Sequence, residues 1–143
     1  MGNLFEKAVR EPVAPNGTVL VVEDESMVRD CASAIFSALG FEVIQACDGM
    51  EAFEIYQEQG TTIALVFMDI AMPRMDGITA TRKIREFNPS AKVILTSGGF
   101  ADHQLSDAKP DAFLPKPYRH KTLHDLVQRV MQPGFLPCSS PTT

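Results

Sequence analysis

Cysteine is scarce in this chain and carries no pattern. Cys31, Cys47 and Cys138 are odd in number and nowhere spaced Cys-x-x-Cys. They form neither a disulfide framework nor a thiolate zinc site, and the chain reads as one that works in a reducing, cytoplasmic setting. Cys31, on a helical stripe, reads as a small buried hydrophobe. Long apolar runs are missing as well. None approaches the roughly 18 residues that cross a bilayer, and no secretory signal opens the chain. Met1-Gly2 lacks the Ser or Thr of a myristoylation signal, because Glu6 stands in that place. Positive charge is also short, 13 Lys and Arg against 18 Asp and Glu for a net of −5, which argues against direct nucleic-acid binding by the body of the chain. His103, His120 and His124 are too scattered for a metal site and read as surface residues. No internal repeat is present.

What is present is the composition of an ordinary globular domain: 143 residues, 45% hydrophobic and 22% charged. Residues 1–17, with Pro12, Pro15, Asn16 and Gly17 before the first apolar run, read as a leader or linker. Residues 18–131 read as the folded domain and residues 132–143 as a disordered tail. Within the domain, strand and helix patterns alternate five times. Apolar runs of the kind buried in a parallel sheet lie at 18–22, 41–45, 63–68, 92–96 and 111–114. Helical spacing follows at 26–39, with Val28, Cys31, Ala32, Ile35 and Leu39 on one stripe and Gly40 closing it. Further helices are expected at 49–59, at 77–87 (ended by Asn88-Pro89) and at 120–131, with Leu123, Leu126, Val127 and Val130 inward. The helix expected at 100–109 is weak and short. The alternation predicts an α/β fold, a flavodoxin-like doubly wound five-stranded parallel sheet of order 2-1-3-4-5.

In such a sheet the C-terminal strand ends converge on one crevice. Glu23 and Asp24 follow the first run, Asp69 the third, and Lys116 the fifth. Carboxylates gathered there repel one another by about 4 kcal/mol per pair at ~4 Å and an effective dielectric of ~20. Such a cluster needs a cation, and hard oxygen donors without Cys or His suit Mg²⁺ or Mn²⁺.

Four segments sit at these strand ends in order: Val-Val-Glu-Asp-Glu at 21–25, Met-Asp-Ile-Ala-Met-Pro-Arg-Met-Asp-Gly at 68–77, Leu-Thr-Ser-Gly at 95–98 and Leu-Pro-Lys-Pro-Tyr at 114–118. Together they resemble the signatures of the response-regulator receiver domain, over about residues 18–131. The resemblance implies that a histidine kinase or phosphotransfer domain passes a phosphoryl group to Asp69 in a two-component system or phosphorelay. It further implies that Asp24 binds the metal directly, Glu23 through metal-bound water, and Asp69 and the backbone carbonyl of Ala71 complete the protein ligands. A Glu23 that is only a solvated acidic neighbour is the competing reading. Lys116 matches the lysine that contacts the acceptor and then the phosphoryl group, with a cis bond to Pro117. Ser97, rather than Thr96, matches the switch hydroxyl, since the small Gly98 follows it and strand alternation lets only one of the two face the phosphate. Phe113 matches the aromatic switch partner, where a permanently buried core ring is the alternative. Asp76 is expected to cap the helix that begins near Gly77. Arg82, Lys83 and Arg85 read as a solvated helix face.

Only 15 residues lie between Ser97 and Phe113, so the fourth helix is expected to be short or irregular. That leaves open the output face and the dimer mode that the resemblance implies. Two other classes share part of this residue set. A haloacid-dehalogenase-type phosphatase also uses Asp, Lys, Ser or Thr and Mg²⁺, but it needs a second Asp two residues after its nucleophile, where this chain has Ala71. A degenerate receiver serving as a docking module conflicts with the intact set of acids, hydroxyl and lysine. Between a stand-alone receiver and one belonging to a hybrid kinase, the chain itself does not choose.

Overall fold

The computed structural model describes residues 16–99, 105 and 107–134. Its five strands are β1 (Thr18–Val22), β2 (Glu42–Ala46), β3 (Ile63–Asp69), β4 (Val93–Ser97) and β5 (Ala112–Pro115), and its four fully described helices are α1 (Ser26–Ala38), α2 (Gly49–Gln59), α3 (Gly77–Phe87) and α4 (His120–Met131). All neighbouring strands are parallel, in the order β2-β1-β3-β4-β5. This is the expected doubly wound sheet.

Side-chain alternation builds two cores. Leu20, Val22, Val66, Met68, Val93 and Leu95 face α2 and α3 and meet Ala52, Tyr56, Ile78 and Ile84. Val19, Val21, Leu65, Phe67, Ile94 and Leu114 face α1 and α4. Burying each large side chain of this kind contributes about 1.5–3 kcal/mol, and the sheet's two apolar faces explain its near-continuous apolar strands.

Several details depart from expectation. β2, β4 and β5 each begin and end one residue later than the apolar runs alone suggest, and β3 runs on to include Asp69. Register is the cause: Asp69 pairs with Thr96 and Ser97 with Pro115, so the ladder continues past the last apolar residue. Cys31 is exposed, not buried. The helix is turned by Phe36, fully buried against Phe41 and Phe67 at ring-centroid distances of 5.7 and 5.3 Å, and seating that ring moves the buried stripe to Ala32 and Phe36. Arg85 is no solvated residue. Its guanidinium donates to the carbonyls of Ala91 and Lys109 and to Asp111, tying α3 to the ends of β4 and β5.

Residues 1–15 of the expected leader, residues 135–143 of the expected tail (with Cys138) and His103 lie outside the described residues, as does most of the expected 100–109 helix. Within it, Leu105, Asp107 and Ala108 are helical, and Leu105 and Ala108 pack on the α2–α3 core. Among the described residues no helix is long and apolar enough to cross a membrane.

Candidate functional site

β1 and β3 are hydrogen-bonded neighbours, with Val22 opposite Met68. The residues that follow, Glu23 and Asp24 on one strand and Asp69 on the other, therefore meet. One carboxylate oxygen from each lies within 4.8 Å of the others. Glu23 and Asp69 are buried and Asp24 is exposed. The burial of Glu23 overturns its reading as a solvated neighbour. Its backbone is fixed from two sides: the amide donates to the Ala46 carbonyl at 3.1 Å, and its own carbonyl accepts from the Arg29 guanidinium at 2.8 Å. No local sequence pattern signals Arg29, because the contact spans six residues across the turn into α1.

Lys116 reaches this cluster from the end of β5, where its amide donates to the Ser97 carbonyl and a cis bond joins it to Pro117. Its Nζ donates to Glu23 Oε1 at 2.9 Å and stands 3.5 Å from Asp69 Oδ1. The lysine thus bridges both buried acids and is nearer to Glu23. Burial, followed by the neighbouring Asp69 charge, pushes the Glu23 carboxyl above its ordinary range despite the lysine. Asp69 is pushed up in the same way, by burial and then by Asp24. Burial works against the Lys116 charge, but the bond to Glu23 and the Asp69 charge outweigh it and raise its pKa. Three carboxyl groups gather here, and the one ammonium among them bridges only the two buried ones. The donor set is all hard oxygen, with neither thiol nor imidazole in it, which fits Mg²⁺ or Mn²⁺.

The loop from β3 to α3 is tightly held. The Ile70 amide donates to the Thr96 carbonyl, and the Gly77 amide to the Ile70 carbonyl at 2.8 Å. A side chain at Gly77 would collide with the Asp69 carbonyl oxygen, so glycine is what lets α3 start against the end of β3. Asp76 caps α3 as expected, accepting from the Thr79 amide at 2.7 Å. Ala71 is exposed within this loop.

Ser97 ends β4, buried, its Oγ accepting from the Gly99 amide at 3.1 Å. Phe113 is half-buried against the α2–α3 core. Thr96, the register partner of Asp69, carries a buried hydroxyl that makes no hydrogen bond to the described residues. An unsatisfied group of this kind costs about 1–3 kcal/mol, and sequence reasoning missed it because strand position alone does not reveal which hydroxyl finds a partner. Also unforeseen is a second buried aspartate at this edge, Asp48, which pairs with Arg74 at 2.6 Å. The Asp48-x-x-Glu51 spacing is the signal that could have found it, as a capping pattern before α2.

The sequence profile described as the response regulator receiver domain matches residues 19–128. The chain is 38% identical over 133 residues to the sensor kinase CckA of Brucella abortus, covering 89% of this chain and 14% of CckA. It is 45% identical over 87 residues to the chemotaxis protein CheY of Treponema pallidum, covering 58% of this chain and 60% of CheY. It spans less than two thirds of either relative. The crystal structure of the receiver domain from the hybrid histidine kinase CckA superposes with a TM-score of 0.70 at 39% identity, covering 81% of this chain and 100% of that one. The profile match and the shared sheet order converge on one conclusion: this chain belongs to the response regulator receiver domain family, signalling modules of two-component systems.

Proposed function

We propose that this chain takes a phosphoryl group on Asp69 from the phosphohistidine of a histidine kinase or phosphotransfer domain, in the cytoplasm, and changes conformation in response. One observation carries the reading: a buried carboxylate at a strand end, 3.5 Å from a lysine ammonium and grouped with two further carboxylates. In the transfer, an Asp69 carboxylate oxygen forms the new bond to phosphorus as the phosphorus–nitrogen bond of the donor breaks, and the leaving imidazole takes up a proton. Lys116 favours the ionised form of Asp69 and aims it, and its ammonium stands ready for the incoming phosphoryl oxygens. Mg²⁺, held by Asp24, Asp69, the Ala71 carbonyl and, through water, Glu23, would supply charge neutralisation.

The switch follows from Ser97. Its hydroxyl now accepts from the Gly99 amide, and turning it to donate to a phosphoryl oxygen releases that contact and opens space for the Phe113 ring. Hydrolysis needs a water behind phosphorus, flanked by Ala71 and Gly99. Neither side chain can hold that water, and a side-chain carbon at Gly99 would meet nothing within 4 Å. Self-dephosphorylation should therefore be of intermediate rate, and Ala71→Asn should speed it. The test is labelling with acetyl phosphate. We expect Mg²⁺-dependent, hydroxylamine-labile aspartyl phosphate in the wild type and none in Asp69→Asn. Labelling of that variant, or stable phosphate on Ser97, overturns the assignment.

A further inference from the structure

Arg74 holds a backbone conformation that its side chain disfavours, with φ of +66°. Across it the Met75 amide donates to the Pro73 carbonyl at 2.7 Å, the tight hydrogen bond of a strained three-residue turn. Strain of this kind persists only where neighbouring structure imposes it. Two contacts from the start of α2 do so. Arg74 Nη2 and Nε lie 2.6 and 2.8 Å from Asp48 Oδ2, and the Gly49 amide donates to the Met75 carbonyl at 3.1 Å. The close approach leaves no room for a side chain at Gly49, whose Cβ would stand 2.5 Å from the Met75 oxygen. Asp48 is itself immobilised, since its Oδ1 accepts from the Glu51 amide as the cap of α2. A rigid, buried anion therefore grips the tip of the loop that begins at Asp69 and contains Ala71.

We propose that Arg74 is a positioning residue: its ion pair with Asp48 holds the β3–α3 loop in the shape that presents the backbone after Asp69 to the divalent cation. The proposal rests on the phosphoacceptor reading above. The pair acts from outside the ligand set, as supporting partners at metal sites do, and their loss weakens metal binding by about 10-fold or more.

Arg74→Gly and Asp48→Asn separate the pair from its surroundings. Glycine accepts positive φ without strain, and asparagine keeps the cap on the Glu51 amide, so each variant removes the ion pair and leaves the backbone content. In the full chain, we expect faster hydrogen exchange at Gly49, Met75 and Gly77 in both variants without metal. Measured by Mg²⁺-induced stabilisation, affinity should fall by about 10-fold, with acetyl phosphate labelling recovering at saturating Mg²⁺. The double variant should be no worse than either single one. Unchanged loop exchange, or wild-type Mg²⁺ affinity in Arg74→Gly, overturns the proposal. Lower thermal stability with unchanged affinity does so too, because it marks a merely structural pair. Failure of the phosphoacceptor reading shows differently, in the wild type and Asp69→Asn, where labelling would be absent from the first or present in the second; a wild type with no Mg²⁺ response overturns both.

Discussion

Asp48 and Asp69 are both buried aspartates at the C-terminal edge of one sheet, 3% and 5% exposed. Their surroundings are opposite. Burial works against the charge of each, but Asp48 accepts from the Glu51 amide and from Arg74, and its carboxyl is held below the ordinary range. Asp69 has Lys116 at 3.5 Å and two other carboxylates beside it, and its carboxyl is pushed up. One acid is fully engaged in holding α2 and the loop beyond β3 together. The other is left short of partners, in a place where a cation and a phosphoryl group could satisfy it. A buried carboxylate contributes to stability when its donors are complete and to chemistry when they are not.

The largest expected break in this comparison is functional. Asp69→Asn should abolish acetyl phosphate labelling, whereas Asp48→Asn should retain it at saturating Mg²⁺; equal loss in both, read by phosphoprotein gel, would erase the distinction. Metal should discriminate next. At Mg²⁺ about 100 times its dissociation constant the wild type should gain about 2.7 kcal/mol of unfolding free energy, and Asp24→Ala should lose most of that gain. A denaturation curve insensitive to Mg²⁺ counts against the site.

Stability without metal should separate the two aspartates by sign. Asp48→Ala removes a helix cap and should cost about 1–2 kcal/mol in urea unfolding, while Asp69→Asn should raise the midpoint by relieving repulsion. The pH dependence sharpens this. Asp69 and Glu23, with raised folded pKa values, contribute stability that is present below their unfolded pKa and lost as pH rises through the folded one. Asp48 and Glu51, with lowered values, contribute stability present above the unfolded pKa and lost as pH falls through the folded one. On acidification the advantage of Asp69→Asn should therefore vanish first, and the deficit of Asp48→Ala shrink only at lower pH. The reverse order would contradict the assigned environments. The smallest effect concerns Thr96: Thr96→Val removes the orphaned hydroxyl at constant shape and should stabilise by about 1 kcal/mol. A loss instead would mean that the hydroxyl has a partner, such as ordered water.

Much of the fold was legible because strands buried on both faces must be apolar along their whole length, so 18–22 and 63–68 stand out and their ends are marked by acids. Helices were less secure in detail. The stripe through Cys31 and the one through Phe36 differ by a rotation of α1, and only the pocket formed by Phe41 and Phe67 selects between them. Arg85 reads as solvated because its partners at Ala91, Lys109 and Asp111 come from other elements. At the site, the gathering of Glu23, Asp24, Asp69 and Lys116 could be anticipated from the strand ends, whereas the nearer approach of Lys116 to Glu23 could not.

By itself the chain determined the alternation of strands and helices and the placement of charge at the strand ends, since both follow from local apolar patterning. Asp48 and Asp69 look alike at that level: each comes where an apolar strand gives way to a loop. Which of them found an arginine and backbone donors, and which met other carboxylates, was decided only when β1 packed between β2 and β3 and the loop after β3 folded back on α2. Those are contacts between distant parts of the chain, and charge balance within a few ångströms depends on which parts become neighbours.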